Sequence, residues 1–234
     1  LGIFPFYETN IEDNKASIPM LKKTIQHFTD VDGDNCMYKF SGASSIWSSL
    51  GNGDSALKWV SRSLDIFPRI GEIPKIPTCT PNTMYCERGN PTFESPISSS
   101  RSMLDMLIQS WGNTIRVFPA TPSSWKDASF YQLRAEGAFL LSAKRENGKT
   151  RFIHIKSLAG EPCTIQSDLP ADVKVIGMAS NRLQQKNGKI ILDLKKGEEV
   201  ILYTGSKPST FVIDALPMAK KELNQWGLKR QMQR

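Results

Sequence analysis

The sequence predicts an α+β fold in which helices come first and β-strands follow. Before about residue 113, apolar residues recur every three or four positions, the spacing of one face of an α-helix. After it, apolar and polar residues alternate, which is typical of half-buried strands. Helices and strands that are segregated along a chain favour a layered α+β protein. We therefore predict a helical part over residues 1–112, an antiparallel β-sandwich over residues 113–210 and a basic tail over residues 211–234.

Four helices are predicted in the first part. Their apolar positions are Ile18, Leu21, Ile25 and Phe28 in the first helix, Phe40, Ala43, Ile46, Trp47 and Leu50 in the second, and Ala56, Leu57, Val60 and Leu64 in the third. The second helix stops at Gly51-Asn52-Gly53, and we expect Asp54 to cap the third. The fourth helix is predicted over residues 98–110. A stretch with six prolines, residues 68–96, separates the third and fourth helices, and irregular stretches of that length are usually functional.

The second part carries the signals of a strand-rich domain. Strands are predicted at about residues 115–118, 130–145, 149–157, 163–166, 173–176, 190–194 and 200–203. Asn147-Gly148 is a strong hairpin signal, and Asn187-Gly188 and Lys196-Gly197 predict further turns. Many short strands at regular spacing favour a β-sandwich.

Composition excludes several classes of protein. The 234 residues are 39% hydrophobic and 23% charged, as in ordinary globular domains, and the longest apolar runs are far shorter than a membrane span. The formal net charge of +7 is concentrated in a tail without a nucleic-acid-binding motif, so we expect neither a nucleic-acid nor a membrane partner. The chain begins at Leu1 without Met or an export leader, and we interpret it as a processed or truncated piece of a longer protein.

Cysteine and histidine usage indicates no metal or other cofactor. The four cysteines, Cys36, Cys79, Cys86 and Cys163, include no Cys-x-x-Cys pair, and the two histidines, His27 and His154, lie far apart in sequence. We expect buried free thiols, although spacing alone leaves a bridge between Cys79 and Cys86 open. His154 alternates with isoleucines in a predicted strand and should point outward.

Four segments between residues 36 and 140 carry distinctive motifs. They are Trp47-Ser48-Ser49-Leu50-Gly51-Asn52-Gly53-Asp54-Ser55-Ala56, Met106-Leu107-Ile108-Gln109-Ser110, Ile115-Arg116-Val117-Phe118-Pro119-Ala120-Thr121-Pro122 with Trp125, and Leu133-Arg134-Ala135-Glu136-Gly137-Ala138-Phe139. In order and spacing the set resembles glycoside hydrolase family 95, the α-L-fucosidase family. Beyond residue 160 the resemblance extends only to generic β-strands.

The resemblance implies a fold and a reaction. The family has a six-hairpin helical (α/α)6 toroid followed by a β domain, so this chain would hold the last toroid helices and a β-sandwich. The family hydrolyses terminal α-L-fucose or α-L-galactose with inversion, which uses an acid on one side of the bond and a water-activating group on the other. The family's general acid lies upstream of the segment present here. Counting back from Met106, Glu94 falls on the family's water-activating carboxylate.

This chain departs from the family at that position. The family has Asp followed by Gly-Asn-Phe-Gly-Gly, whereas this sequence has Glu94 followed by residues 95–99, Ser-Pro-Ile-Ser-Ser. The additional methylene displaces the carboxylate by more than about an ångström, and displacements of that size are costly in catalysis. The alternative role of Glu94 is a first-turn carboxylate that complements the helix dipole.

Four further residues are candidates for sugar contact. Tyr85, Glu87 and Asn90 combine an aromatic face with charged and amide groups, which is the chemistry of sugar recognition. Tyr38 corresponds to an aromatic of the family's cleft. The alternatives are a surface loop with an internal charge balance for the first three residues and a packing aromatic for Tyr38.

Two functions follow as hypotheses. The first is part of an inverting exo-glycosidase that acts on α-L-fucose or a similar sugar, with a glycan and the upstream toroid helices as partners. The second is a non-catalytic carbohydrate-binding or assembly module that keeps the fold without the chemistry. By resemblance we expect an exported bacterial protein, periplasmic or extracellular, and we expect the isolated chain to be inactive and prone to aggregate because its helices lack neighbours.

Overall fold

A computed structural model of the chain describes residues 2–12, 15–31, 37–64 and 94–213. The predicted basic tail over residues 211–234 falls almost entirely outside this range, as do Cys36, Cys79 and Cys86. The chain divides into two compact units, a helical unit up to Met106 and a β unit from Leu107, each described by itself.

The helical unit contains the four predicted helices. They are α1 (Ile18–Asp30), α2 (Met37–Ser49), α3 (Gly53–Leu64) and α4 (Glu94–Leu107), and a short 3-10 turn (Lys15–Ser17) precedes α1. The predicted apolar faces are largely buried, with Leu21 and Ile25 on α1 and Phe40 and Ala43 on α2 inside the unit. Phe28, in contrast, is 45% exposed. Whether these helices belong to an (α/α)6 toroid stays a prediction.

Two details of the predicted helices are wrong. Asn52, not Asp54, caps α3, because its side-chain Oδ1 accepts the backbone N–H of Ser55 at 3.0 Å. The fourth helix was expected to reach Ser110, but α4 ends at Leu107 and the chain continues as a strand, Ile108–Trp111. The reason lies beyond the helix, where a turn at Gly112 and Asn113 with positive φ reverses the chain and gives this strand a partner.

The β unit consists of two five-stranded sheets. Its strands are β1 (Ile108–Trp111), β2 (Thr114–Val117), β3 (Ala128–Ala135), β4 (Phe139–Glu146), β5 (Lys149–Ser157), β6 (Pro162–Gln166), β7 (Lys174–Ile176), β8 (Leu183–Lys186), β9 (Lys189–Asp193) and β10 (Glu199–Tyr203). The first sheet has the order β1-β2-β6-β9-β8 and the second β3-β4-β5-β10-β7. The long strand predicted at 130–145 is two strands, β3 and β4, and β1 and β8 were not predicted.

The pairing is antiparallel except at one place. β2 and β6 run parallel, with Ile115 opposite Ile165 and Arg116 opposite Gln166. The sheets are therefore mainly antiparallel, as predicted, and the β2–β6 pair is a parallel exception that the prediction did not include. β2 and β6 meet in the first sheet although β3, β4 and β5, which lie between them in sequence, belong to the second.

Both sheets contribute to one apolar core. Ile165 and Leu192 come from the first sheet, and Leu141, Ile155 and Leu202 come from the second; all five are fully buried. The predicted alternation is clearest in β6 and β9, where buried residues alternate with more exposed ones, whereas all four residues of β2 are buried.

Both predicted Asn-Gly turns are present in the structure. Asn147 and Gly148 have φ values of 52° and 76° and join β4 to β5, and Asn187 and Gly188 have φ values of 52° and 71° and join β8 to β9. Positive φ at both central residues matches the twist of a hairpin. Cys163 is a free thiol in the core, as expected, and burial raises its pKa to about 12. None of the helices within the described ranges is long and apolar enough to cross a bilayer.

Candidate functional site

Three helix ends meet at one end of the helical unit. The hydroxyl groups of Ser41 on α2 and Ser98 on α4 lie 2.6 Å apart. Ser63, in the last turn of α3, lies with its hydroxyl 3.4 Å from that of Ser99 on α4. The N-terminal turns of α2 and α4 and the C-terminal turn of α3 therefore share one end of the unit.

Small side chains allow this close approach. The serines at the contacts, Ser41, Ser63 and Ser99, are almost completely buried, and further along α2 the Ser44 hydroxyl donates to the Ala56 carbonyl of α3 at 2.8 Å. Helix axes come closest where the contacting side chains are smallest. Because each of these four hydroxyl groups has a hydrogen-bond partner, their burial leaves no unsatisfied hydrogen-bonding group among them.

Glu94 and Tyr38 both lie at this end. Glu94 is the first residue of α4, one turn before Ser98, and is exposed. Tyr38 lies one turn before Ser41 on α2 and is 58% exposed. Exposure argues against the alternative of Tyr38 as a packing aromatic. Sequence comparison with the family had placed these two residues in one cleft, and the structure brings their helix ends together.

The remaining predicted sugar contacts, Tyr85, Glu87 and Asn90, lie outside the described residues. The chain leaves α3 at Leu64 and enters α4 at Glu94, and both points are at the end described above. In sequence, the segment that carries these three residues lies between those two points.

Sequence reasoning missed a buried carboxylate on α4. Asp105 is only 1% exposed, and its Oδ1 accepts the Arg101 Nε–H at 2.7 Å. The hydroxyl of Ser45 on α2 also bonds to it. Burial raises the pKa of Asp105 above its ordinary value, since the charge of Arg101 offsets only part of the desolvation. The i, i+4 spacing of Arg101 and Asp105 is a readable signal, but that spacing is normally found on exposed helix faces.

Aromatic and cationic groups reinforce the α2–α3 pair. The rings of Phe40 and Trp59 stack with centroids 5.7 Å apart, and the Arg62 guanidinium lies 4.7 Å from the Phe40 centroid and 5.4 Å from that of Trp59. The cation stabilises the pair by lying against the ring faces. These contacts hold α2 and α3 as one hairpin beneath the helix ends.

In the β unit, the titratable side chains of His154, Lys156 and Glu199 interact across strands β5 and β10. His154 is partly exposed, as predicted, and its Nε2 lies 3.1 Å from Glu199, which Lys156 approaches at 2.7 Å on its other oxygen. Both contacts lower the pKa of Glu199. Among the residues that the structure describes, no group of three or more His, Cys, Asp or Glu side chains is arranged to hold a metal ion.

Comparison with known protein families finds a match within the β unit. Residues 109–202 match the family model described as "Glycoside hydrolase family 95, C-terminal domain". No curated protein matches the chain.

Two solved structures are among those found by comparison with this chain. One is a GH127 β-L-arabinofuranosidase from Geobacillus stearothermophilus T6, with 12% identity, a TM-score of 0.28, and coverage of 80% of this chain and 31% of that one. The other is a family 39 glycoside hydrolase from the gut symbiont Bacteroides cellulosilyticus WH2, with 14% identity, a TM-score of 0.23, and coverage of 65% and 32%. The chain thus spans about a third of the length of each. The resemblance found in the sequence is confirmed for the segment that forms the sheets, since residues 109–202 match the model of the glycoside hydrolase family 95 C-terminal domain.

Proposed function

We propose that the protein to which this chain belongs is an inverting exo-glycosidase that removes terminal α-L-fucose, or the related α-L-galactose, from glycans. The observation that carries the proposal is the position of Glu94 at an exposed helix end, next to the end that bears Tyr38, in a chain whose residues 109–202 match a glycoside hydrolase family. The specificity for fucose and the inverting mechanism come from the resemblance of the motifs.

In the proposed reaction Glu94 activates a water molecule. Inversion requires the acid and the water-activating group to stand roughly 6.5–9.5 Å apart, so that water fits between the carboxylate and the anomeric carbon. The general acid would come from the upstream part of the same polypeptide, as in the family. A carboxylate in the first turn of a helix is favourably placed because its negative charge meets the positive end of the helix dipole.

Tyr38 would contribute a sugar-binding surface. An exposed tyrosine offers a flat face for the apolar side of a sugar ring and a hydroxyl for hydrogen bonding. Tyr85, Glu87 and Asn90, on the segment tethered between Leu64 and Glu94, are proposed to complete the subsite. We further propose that the protein is periplasmic or extracellular, where such glycans occur.

The test uses the full-length protein and aryl α-L-fucoside and aryl α-L-galactoside substrates. Glu94→Gln keeps the shape of the side chain and removes its charge, so we expect kcat to fall by about 10²–10⁴, the usual contribution of a general base. Glu161→Gln, which changes an exposed acid of the β unit, should leave kcat unchanged. Equal turnover by Glu94→Gln and wild type would exclude the proposed role of Glu94.

The replacement of the family's Asp by Glu94 gives the second candidate, a sugar-binding module without activity. That candidate predicts sugar binding by calorimetry without release of the aryl group. Glu94→Asp distinguishes the two further, because it restores the carboxylate length that the family uses. A gain of activity in Glu94→Asp from an inactive wild type would favour the module.

A further inference from the structure

The buried carboxylate of Asp105 joins three separate segments of the helical unit. Asp105 lies on α4, where Arg101, one turn earlier, donates to it at 2.7 Å. Ser45 of α2 bonds to the same carboxylate. Arg101 in turn bonds to Tyr7 of the N-terminal segment, defined here as residues 2–12. A single acidic group therefore links α4 to α2 and, through Arg101, to the start of the chain.

The N-terminal segment is itself held in a specific conformation. Tyr7 has a φ of 54°, a left-handed value that costs energy for a residue with a side chain. The side chain of Asn10, which is 8% exposed, donates to the Tyr7 carbonyl at 3.1 Å, and the ring of Phe4 packs edge-on against Tyr7 with centroids 5.9 Å apart. The contacts with Asn10 and Phe4 stabilise the conformation in which the Tyr7 side chain bonds to Arg101.

Burying such a network of polar and charged groups costs free energy, and the cost is offset only when the helices hold the groups in bonding positions. A buried carboxylate loses its hydration, and the bonds of Asp105 to Arg101 and Ser45 recover part of that loss in this arrangement of the helices. A sliding movement of α4 along α2 would break the bond to Ser45 and leave the charge of Asp105 with fewer partners. The network therefore defines the position of α4 along its own axis, and Glu94 is the first residue of that helix.

We infer that Asp105 is a positioning residue, which through Ser45 and Arg101 fixes α4 so that Glu94 stands in a defined place relative to Tyr38. The inference rests on the proposed function, because it assigns Asp105 a role in the placement of the proposed water-activating carboxylate. It predicts that Asp105 affects turnover without touching the sugar.

The experiment measures kcat and KM of the full-length protein on aryl α-L-fucoside. Asp105→Asn keeps the shape of the side chain and removes its charge, so we expect kcat to fall about tenfold or more while KM changes less than about twofold, because misplacement by about an ångström weakens the chemical step. Asp172→Asn, an exposed acid of the β unit, is the matched control and should behave like wild type. Ser45→Ala, which removes one hydroxyl and keeps the ion pair, should lower kcat about threefold and remains informative if Asp105→Asn folds poorly.

A double-mutant cycle separates positioning from general damage. Glu94→Asp moves the carboxylate without removing it, so its effect should depend on where α4 stands. If Asp105 acts through Glu94, the factors by which Asp105→Asn and Glu94→Asp change kcat will not multiply in the double variant. Factors that multiply within about twofold, or an unchanged kcat in both Asp105→Asn and Ser45→Ala, would overturn the inference while the effect of Glu94→Gln persists. If Glu94→Gln itself leaves kcat unchanged, the proposed function fails and the inference falls with it.

Discussion

The guanidinium of Arg116 lies flat against the indole of Trp111, with 3.4 Å between its central carbon and the ring centroid. The same guanidinium donates from Nη1 to the Trp111 carbonyl at 2.9 Å and to the Thr114 carbonyl at 3.0 Å. Arg116 is 6% exposed, so these contacts are shielded from water. The side chain thus closes the turn between β1 and β2, the first two strands of the β unit.

Arg116→Lys should therefore be destabilising despite the retained charge. Lysine has no planar guanidinium to lie over the indole, and its single ammonium nitrogen cannot keep that ring contact while it donates to both carbonyls. We expect the free energy of unfolding to fall by about 1–3 kcal/mol, measured by urea denaturation followed by tryptophan fluorescence. Arg151→Lys, at a side chain that is 47% exposed, should change the free energy of unfolding by less than about 0.5 kcal/mol. Equal effects of the two changes would contradict this account.

A comparison of Gly177→Ala with Gly188→Ala should distinguish the loss of stability caused by a steric clash from the loss caused by backbone conformation alone. Both glycines have positive φ, 94° and 71° respectively. A Cβ at Gly177 would overlap the backbone carbonyl of Glu199, whereas a Cβ at Gly188 meets nothing within 4 Å. We expect Gly188→Ala to cost about 1 kcal/mol, from the left-handed backbone alone, and Gly177→Ala to cost clearly more. Thermal unfolding of both variants checks the order, and a larger effect at Gly188 would refute it.

The ion pair of Glu198 predicts how stability changes in acid. Arg182 donates to both carboxylate oxygens at 2.8 Å and 2.7 Å, and the Lys195 N–H donates at 2.7 Å, so the pKa of Glu198 is lowered to about 2. Since the folded pKa lies below the unfolded value of about 4.3, the stabilisation is complete above that value and is lost as the pH falls toward about 2.

We therefore expect Glu198→Gln to flatten the dependence of Tm on pH between about pH 5 and pH 2. At neutral pH the variant should be less stable than the wild type, and the two proteins should converge in stability as the pH falls toward about 2. Scanning calorimetry across this pH range measures the slope. Glu161→Gln, at an exposed acid that forms no ion pair within the described ranges, should keep the slope of the wild type. A Glu198→Gln slope identical to wild type would contradict the assignment.

The cap of α3 gives a prediction that distinguishes Asn52 from its neighbours. Asn52 accepts the Ser55 N–H through its side chain and the Ala56 N–H through its carbonyl, both at 3.0 Å. Asn52→Ala removes the first bond and should cost about 1 kcal/mol, while Asn52→Asp keeps an acceptor and should cost only a few tenths. Chemical denaturation measures both. If the two variants unfold at the same midpoint, the side-chain cap does not contribute.

The sequence predicted the elements whose signals are local. The Asn147-Gly148 hairpin followed from two residues that tolerate positive φ, and the helices of the first part followed from their apolar spacing. The strand β1 was missed because Ile108, Gln109 and Ser110 continue a helical pattern, and only the turn after Trp111 brings β2 alongside. The parallel pair of β2 and β6 depends on a contact between distant segments, which no local pattern contains.

The candidate site was predictable only in part. Glu94 and Tyr38 were identified by motif resemblance, and the structure adds that their helix ends adjoin through Ser41 and Ser98. Asp105 was missed because an acid four residues after an arginine usually lies on a solvated helix face. Its burial depends on α2 and the N-terminal segment packing around it, which is tertiary information.

The path of the chain through the β unit constrains how it can be divided. Along the chain, the strands alternate between the two sheets. β1 and β2 belong to the first sheet, β3–β5 to the second, β6 to the first, β7 to the second, β8 and β9 to the first, and β10 to the second. Neither layer is thus encoded by a continuous stretch, and a cut between β5 and β6, between β6 and β7 or between β7 and β8 leaves strands of both layers on each side. The first layer is complete only once β9 has been synthesised and the second only once β10 has been, so a nascent chain that ends at β5 would still expose the apolar face of β3, β4 and β5.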